Sequence, residues 1–298
     1  MLVLDHLSKV FDHTPAVREL SLRIEEGVIF GLLGPNGAGK TTTIRMLLQI
    51  LQPDSGRILL NGAPIGRADL QHFGYLPEER GLYQKTKIRE TIRYFAGLKE
   101  LDAQIAKSRI DDLLERFGLQ DEGERRIEEL SKGNQQKVQF IIAIVHAPKI
   151  VVLDEPFAGL DPVNQLLLKE VIREMKEEGT TILFSTHQMD QVEKLCEQIC
   201  LIHNGSPILD GNLAEIRERY GNRTIRVHYE GDAHKLADLP LHYLDLSDKK
   251  FVAEMGPDTS LDNVLAQLIP MVRITHFSVL EPSLEQIFID QVQGAGTQ

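Results

Sequence analysis

Three things are scarce in this chain of 298 residues: cysteine, basic charge and long apolar runs. It has two cysteines, Cys196 and Cys200. Cys196 shares a helical stripe with Val192 and Leu195, and Cys200 opens the apolar run Cys200-Leu201-Ile202. The pair therefore reads as two small core residues rather than a redox or metal pair. Lys and Arg total 33 against 44 Asp and Glu, a formal net charge of −11. That balance argues against the basic footprint of nucleic-acid binding, although it leaves room for a local patch. No window approaches the uninterrupted apolar stretch of a membrane span, and the first residues lack a signal-peptide pattern. A cytoplasmic chain is expected, with any membrane role coming through a partner. Low-complexity segments and internal repeats are absent too. What remains is ordinary for a globular protein, 42% apolar and 26% charged, and long enough for one large domain and a small one.

The most informative segment is Gly34-Pro35-Asn36-Gly37-Ala38-Gly39-Lys40-Thr41, followed by Thr42. It fits G-x-x-x-x-G-K-[ST], in which backbone N–H groups cradle phosphates, Lys reaches the outer ones and Thr holds Mg²⁺. The glycines alone would also suit a tight turn. Context favours a nucleotide: Val28-Ile29-Phe30-Gly31-Leu32-Leu33 before the loop reads as a buried parallel strand. Beyond it Ile44, Leu47, Leu48 and Leu51 share a helical stripe, so the loop opens a helix whose free N–H groups suit an anion.

Along the chain, Leu22 and Ile24 alternate with polar neighbours as in a half-exposed strand. Turn signals at Pro53–Gly56 and Asn61-Gly62 flank Arg57–Leu60 and predict a hairpin region. From about 84 to 147 the pattern becomes helical. Ile110, Leu113, Leu114 and Phe117 form one stripe before a stop at Gly118; Val138, Ile141, Ile142 and Val145 form another before Pro148. Strands return at Ile150–Leu153 and Thr181–Phe184, with Asp161-Pro162 between them as N-cap and first helical residue. This alternation predicts a parallel sheet with helices on its faces and a helical insertion. Beyond about 221, short strands at Ile225–His228, Phe251–Ala253 and Val272–Ile274 surround a helical stripe of Leu261, Val264, Leu265 and Leu268. A final helix follows Pro282-Ser283, with Gln286 completing a capping box and Leu284, Ile287 and Phe288 on one face.

The apolar strand at 150–153 ends in Asp154-Glu155. An aspartate there can orient Mg²⁺ beside Thr41, and the adjoining glutamate can polarise a water for attack on the terminal phosphate. Carried by these residues, the chain resembles the nucleotide-binding subunit of an ATP-binding cassette (ABC) transporter over about residues 1–215. Leu130-Ser131-Lys132-Gly133-Asn134 stands where that family has its LSGGQ signature. Asp154-Glu155-Pro156 is similar to its Walker B end, Ala158-Gly159-Leu160-Asp161 to its D-loop and Ser185-Thr186-His187 to its switch histidine. Phe11 matches the aromatic that stacks on adenine. Unaided, Ser131 would read as an N-cap, His187 as a surface histidine and Phe11 as core.

The resemblance implies an α/β fold: a P-loop NTPase core of ABC ATPase type, a RecA-like sheet with antiparallel β and helical subdomains, over 1–220. A small α+β accessory domain is expected over 221–298. It implies an ATPase that pairs with a homologous or identical cassette and drives a separate transmembrane permease from the inner face of the membrane. Glu155 and His187 act in catalysis, with Gly34 to Thr42 and Phe11 on ATP. Ser131 and Gly133 meet the γ-phosphate from the opposite cassette, Asn134 and Asp161 also bind nucleotide, and Thr41, Asp154 and Glu78 lie near Mg²⁺. The tail Glu281–Phe288 resembles that of bacterial exporter ATPases of the sodium-efflux and drug-resistance type. The sequence departs from the family at Glu78, where Gln is usual, and at Lys132 and Asn134 in the signature. Two alternatives remain: an ABC-type ATPase acting on nucleic acid or ribosomes, and a nucleotide-binding regulator without hydrolysis.

Overall fold

The computed structural model of the chain describes residues 1–79, 81–220, 224–231, 236, 239, 241–247, 249–256, 259–280 and 282–295. Residue 221, where the sequence suggests a domain change, and Glu281 at the start of the tail motif lie outside them. The chain forms two compact units, Met1–Asn212 and Leu213–Gln298.

In the first unit, β1 (Leu2–Phe11) and β2 (Thr14–Ile24) pair antiparallel, and Leu20, Leu22 and Ile24 of β2 alternate inward. Next come the fully buried β3 (Ile29–Leu33) and α1 (Lys40–Leu47), whose Ile44 and Leu47 are buried. The predicted hairpin is β4 (Ser55–Leu60) with β5 (Ala63–Pro64). Its two-residue turn has φ 51° at Asn61 and 82° at Gly62, the left-handed pair that matches strand twist. β6 (Phe73–Leu76) leads into the helical segment of α2 (Ile88–Leu98), α3 (Ala103–Arg116) and α4 (Lys132–Ile144). Gly118 stops α3 in the left-handed conformation, φ 65°. Then follow β7 (Ile150–Asp154), α5 (Pro162–Glu177), β8 (Thr181–Thr186), α6 (Met189–Leu195), β9 (Gln198–His203) and β10 (Ser206–Asn212).

Among the described residues β2-β1-β4-β5 form an antiparallel sheet. A second sheet runs β10-β9-β3-β8-β7-β6, parallel except for β10. β3, β7 and β8 are buried along their whole length, as continuous apolar strands covered on both faces must be. Their carboxyl ends therefore deliver the chain to one edge of the sheet, where open α/β sheets hold ligands. Cys196 and Cys200 are buried free thiols whose pKa burial pushes well up, as expected of core residues.

The second unit begins with α7 (Leu213–Tyr220) and continues through β11 (Thr224–Glu230), β12 (Leu241–Leu246), β13 (Lys250–Met255), α8 (Leu261–Leu268), β14 (Arg273–Leu280) and α9 (Leu284–Ala295). Its antiparallel sheet runs β12-β13-β11-β14 over a core that includes Val227, Tyr229, Phe251 and Val264. β12 was not among the expected strands. It is an edge strand whose inward alternation is short: Leu241 and Tyr243 pack against the core, but Leu244, Asp245 and Leu246 are all exposed. The capping box is half made: Ser283 Oγ accepts the Gln286 N–H at 3.2 Å, but the Gln286 amide turns forward to Asp290 at 2.9 Å.

Candidate nucleotide site

The loop after β3 can fold tightly only because of its glycines. Gly34 has φ 150°, and a Cβ there would stand 2.2 Å from the Ile202 carbonyl oxygen; Gly39 has φ 108°, and a Cβ would stand 2.4 Å from that of Ala16. Both substitutions drive carbon into backbone as well as straining φ. Gly39 is the N-cap of α1 without a side-chain cap, and the first turn carries no acid. The N–H groups of that turn are thus left for an anion. A cavity of about 290 Å³ lies there, lined by Ala16, Asn36 to Thr42, Glu78, Asp154 and Glu155. Lys40 is buried, and its Nζ donates to the carbonyls of Gly34 at 2.8 Å and Pro35 at 3.2 Å. Burial lowers its pKa, opposed by the charges of Glu155, Asp154 and Glu78.

Asp154 ends β7 opposite Ser185 in the parallel register, and both are buried. The Ser185 hydroxyl donates to Asp154 Oδ1, while Oδ2 is buried and makes no hydrogen bond. Burial raises the Asp154 pKa, opposed first by Ser185 and then by Thr41. An orphan carboxylate oxygen beside a threonine hydroxyl and a phosphate-sized space fits a hard cation that takes few protein ligands. Among the described residues no three His, Cys, Asp or Glu converge as a metal site.

Glu155 follows in the left-handed conformation, φ 49°, which turns its carboxylate back toward the end of β8. Its Oε2 accepts from the Thr186 hydroxyl at 3.0 Å; its Oε1 accepts the His187 N–H at 3.0 Å and lies 2.7 Å from His187 Nδ1. Glu155 is buried, whereas the His187 side chain is 51% exposed. The carboxylate is fixed by donors on one side, and the imidazole keeps a free edge.

The structure thus gathers Asn36, Gly37, Ala38, Gly39, Lys40, Thr41, Thr42, Glu78, Asp154 and Glu155 at one cavity and joins His187 through Glu155. Gly34 and Pro35 form the base of the loop and receive Lys40. Phe11, Ser131, Gly133, Asn134 and Asp161 do not line the cavity. Phe11 is exposed at the end of β1, with Lys9 Nζ 5.7 Å from its ring centre. Ser131 caps α4 by accepting the Asn134 N–H at 3.2 Å and is exposed, and Gly133 packs near Gly159 and Leu160. Asp161 caps α5, accepting the Asn164 N–H at 3.0 Å. Gln136 on α4 donates to the Pro156 carbonyl at 3.3 Å, tying the signature helix to the segment after Glu155. Three residues had no role in the sequence reading: Ala16, Ser185 and Thr186. The hydroxyls stand in the quoted Ser-Thr-His run, but their partners depend on strand register.

A phosphate loop facing a strand-end carboxylate pair across a parallel sheet defines a P-loop nucleotide-triphosphatase. Residues 17–158 match the family described as ABC transporter, and residues 211–292 match the C-terminal domain of DrrA1-3-like ATP-binding proteins. The ABC transporter ATP-binding protein YhaQ of Bacillus subtilis (strain 168), itself uncharacterized, is 43% identical over 296 residues, covering 98% of both chains. The linearmycin resistance ATP-binding protein LnrL of the same organism is 30% identical over 305 residues, covering 97% of both. A solved ATP-binding subunit of an ABC transporter superposes with a TM-score of 0.69 at 31% identity, over 74% of this chain and 93% of that one. The chain belongs to the ATP-binding subunits of ABC transporters. These are ATP-binding ATPases that work with transmembrane permease components, and hydrolysis coupled to transport is their general activity. Among the described residues no helix is long and apolar enough to cross a membrane.

Proposed function

We propose that this chain hydrolyses Mg²⁺-ATP as one of two paired cassettes, seated on a permease at the cytoplasmic face of the membrane and driving export. The observation that carries the hydrolytic part is the Glu155 carboxylate, buried, fixed by Thr186 and His187, and lining the phosphate cavity. On ATP binding, Lys40 would exchange the Gly34 and Pro35 carbonyls for phosphate oxygens. Thr41 and Asp154 Oδ2 would hold Mg²⁺, with Glu78 near it, and the ion would offset phosphate charge in the reaction. Glu155 would accept the proton of the attacking water, and the exposed edge of His187 would meet the γ-phosphate.

Pairing is supported by Ser131, Gly133, Asn134 and Asp161, which stand at helix starts outside the chain's own cavity, Ser131 and Asp161 exposed and Gly133 and Asn134 half-buried, and suit the phosphates of a second copy or a homologue. Phe11, exposed at a strand end, suits adenine. Export is supported by the DrrA-like match and by the relative named for linearmycin resistance.

The test is Glu155→Gln. Removing the base should lower phosphate release by about 10²–10⁴-fold, leave ATP binding intact, and accumulate a dimer with ATP by light scattering. Phosphate release at the parent rate would sink the assignment of Glu155.

A further inference from the structure

We infer that Glu78 makes ATP binding by this chain depend on its divalent cation, by adding a third carboxylate to a cavity that holds one ammonium. The charged side chains lining the cavity are Lys40, Glu78, Asp154 and Glu155. All three acids act on Lys40 through their charge. Two of them are already committed: Ser185 holds Asp154 Oδ1, and Thr186 and His187 hold Glu155. Glu78 is exposed and reaches the same space from the loop after β6. Together with the buried, unpartnered Asp154 Oδ2, this gives a cavity whose own field opposes a polyphosphate. The loop N–H groups and Lys40 favour the anion, but they face more negative than positive side-chain charge. A divalent cation reverses that balance, because it is attracted by Glu78 and Asp154 and by the phosphates alike.

A glutamine at 78 would keep the length and lose the charge. The metal-free nucleotide would then meet two carboxylates instead of three, and the cation would lose one of its attractions. Because coupling between two ligands is reciprocal, both effects reduce the factor by which metal strengthens ATP binding.

This inference rests on ATP occupying the loop at Gly34–Thr42, and the experiment separates the two. ATP is titrated calorimetrically into the full chain, once with magnesium chloride and once with EDTA, for the parent, Glu78→Gln and Lys40→Met. Glu78→Gln should strengthen metal-free binding and cut the magnesium-to-EDTA affinity ratio by roughly five- to tenfold, allowing for solvent screening of an exposed charge. A ratio within about twofold of the parent's would overturn the role of Glu78 while leaving the site in place. Parent-like ATP binding by Lys40→Met would overturn the site itself. Glu78 is exposed and the change near-isosteric, so the variant folds as the parent does.

Discussion

Thr186 holds two groups with one hydroxyl: it donates to Glu155 Oε2 at 3.0 Å and accepts the Gln188 N–H at 3.1 Å. It is buried and does not line the nucleotide cavity. Its expected effect is therefore on the placement of Glu155, not on ATP affinity. Thr186→Val keeps the shape and deletes the hydroxyl. A hydrogen bond to a charged group contributes about 1.5–3 kcal/mol, so kcat should fall roughly ten- to a hundredfold. KM for ATP should stay near the parent value, and Thr186→Ser should restore most of kcat. A Ser variant as slow as Val would mean the methyl group, not the hydroxyl, matters. The phosphate loop and Asp154-Glu155 were legible from residue type alone, because local spacing defines them. The pairing of Ser185 with Asp154 and Thr186 with Glu155 was not, since it follows from the register of β7 and β8, which are separated in the chain by all of α5.

Among the elements, those with strong local signals were legible: Asp161-Pro162 starts α5, Gly118 ends α3, and Asn61-Gly62 makes the β4–β5 turn. β12 and the forward turn of Gln286 were not, because the alternation in β12 lasts only from Leu241 to Leu244 and a choice between two hydrogen-bond partners leaves no periodic trace. The segment after α4 shows how packing overrides local preference. His146 stands just past the end of α4, where the helix dipole favours a cation. Burial nevertheless drives its pKa down to about 4, and Lys99 adds to this. Lys99 is fixed beside it, donating to the Leu70 and Phe73 carbonyls, while His146 Nε2 lies 3.1 Å from the same Phe73 oxygen. The unfolded histidine takes a proton near pH 6.5 and the folded one near 4, so stability is full above 6.5 and is lost as pH falls toward 4. Discounted for partial exposure, the loss is on the order of 2 kcal/mol. Urea unfolding at pH 7.0 and 4.5 should show a smaller decline for His146→Gln than for the parent. Equal declines would mean that other groups carry the acid sensitivity.

At the scale of the whole molecule, every residue lining the nucleotide cavity lies in Met1–Asn212, which has its own core around Leu4, Phe30, Ile44 and Val152. The second unit has a separate core in which Phe251 is fully buried, its ring 6.0 Å from Tyr229 and 5.3 Å from Tyr243. Phe251→Ala should cost about 3–5 kcal/mol through lost burial and the cavity left behind. That is a large share of the 5–15 kcal/mol typical of a domain, so the second unit should become readily cleaved under native conditions. Among the described residues the two core clusters share no side chain. ATP affinity of Phe251→Ala should therefore stay within about twofold of the parent, as independent sites predict. Proteolysis and ATP titration on the same preparation give the two readings side by side. If ATP affinity falls with the loss of the second unit, the two cores are coupled, and the nucleotide site depends on residues beyond Asn212. If cleavage is unchanged, Phe251 does not hold its sheet to α8.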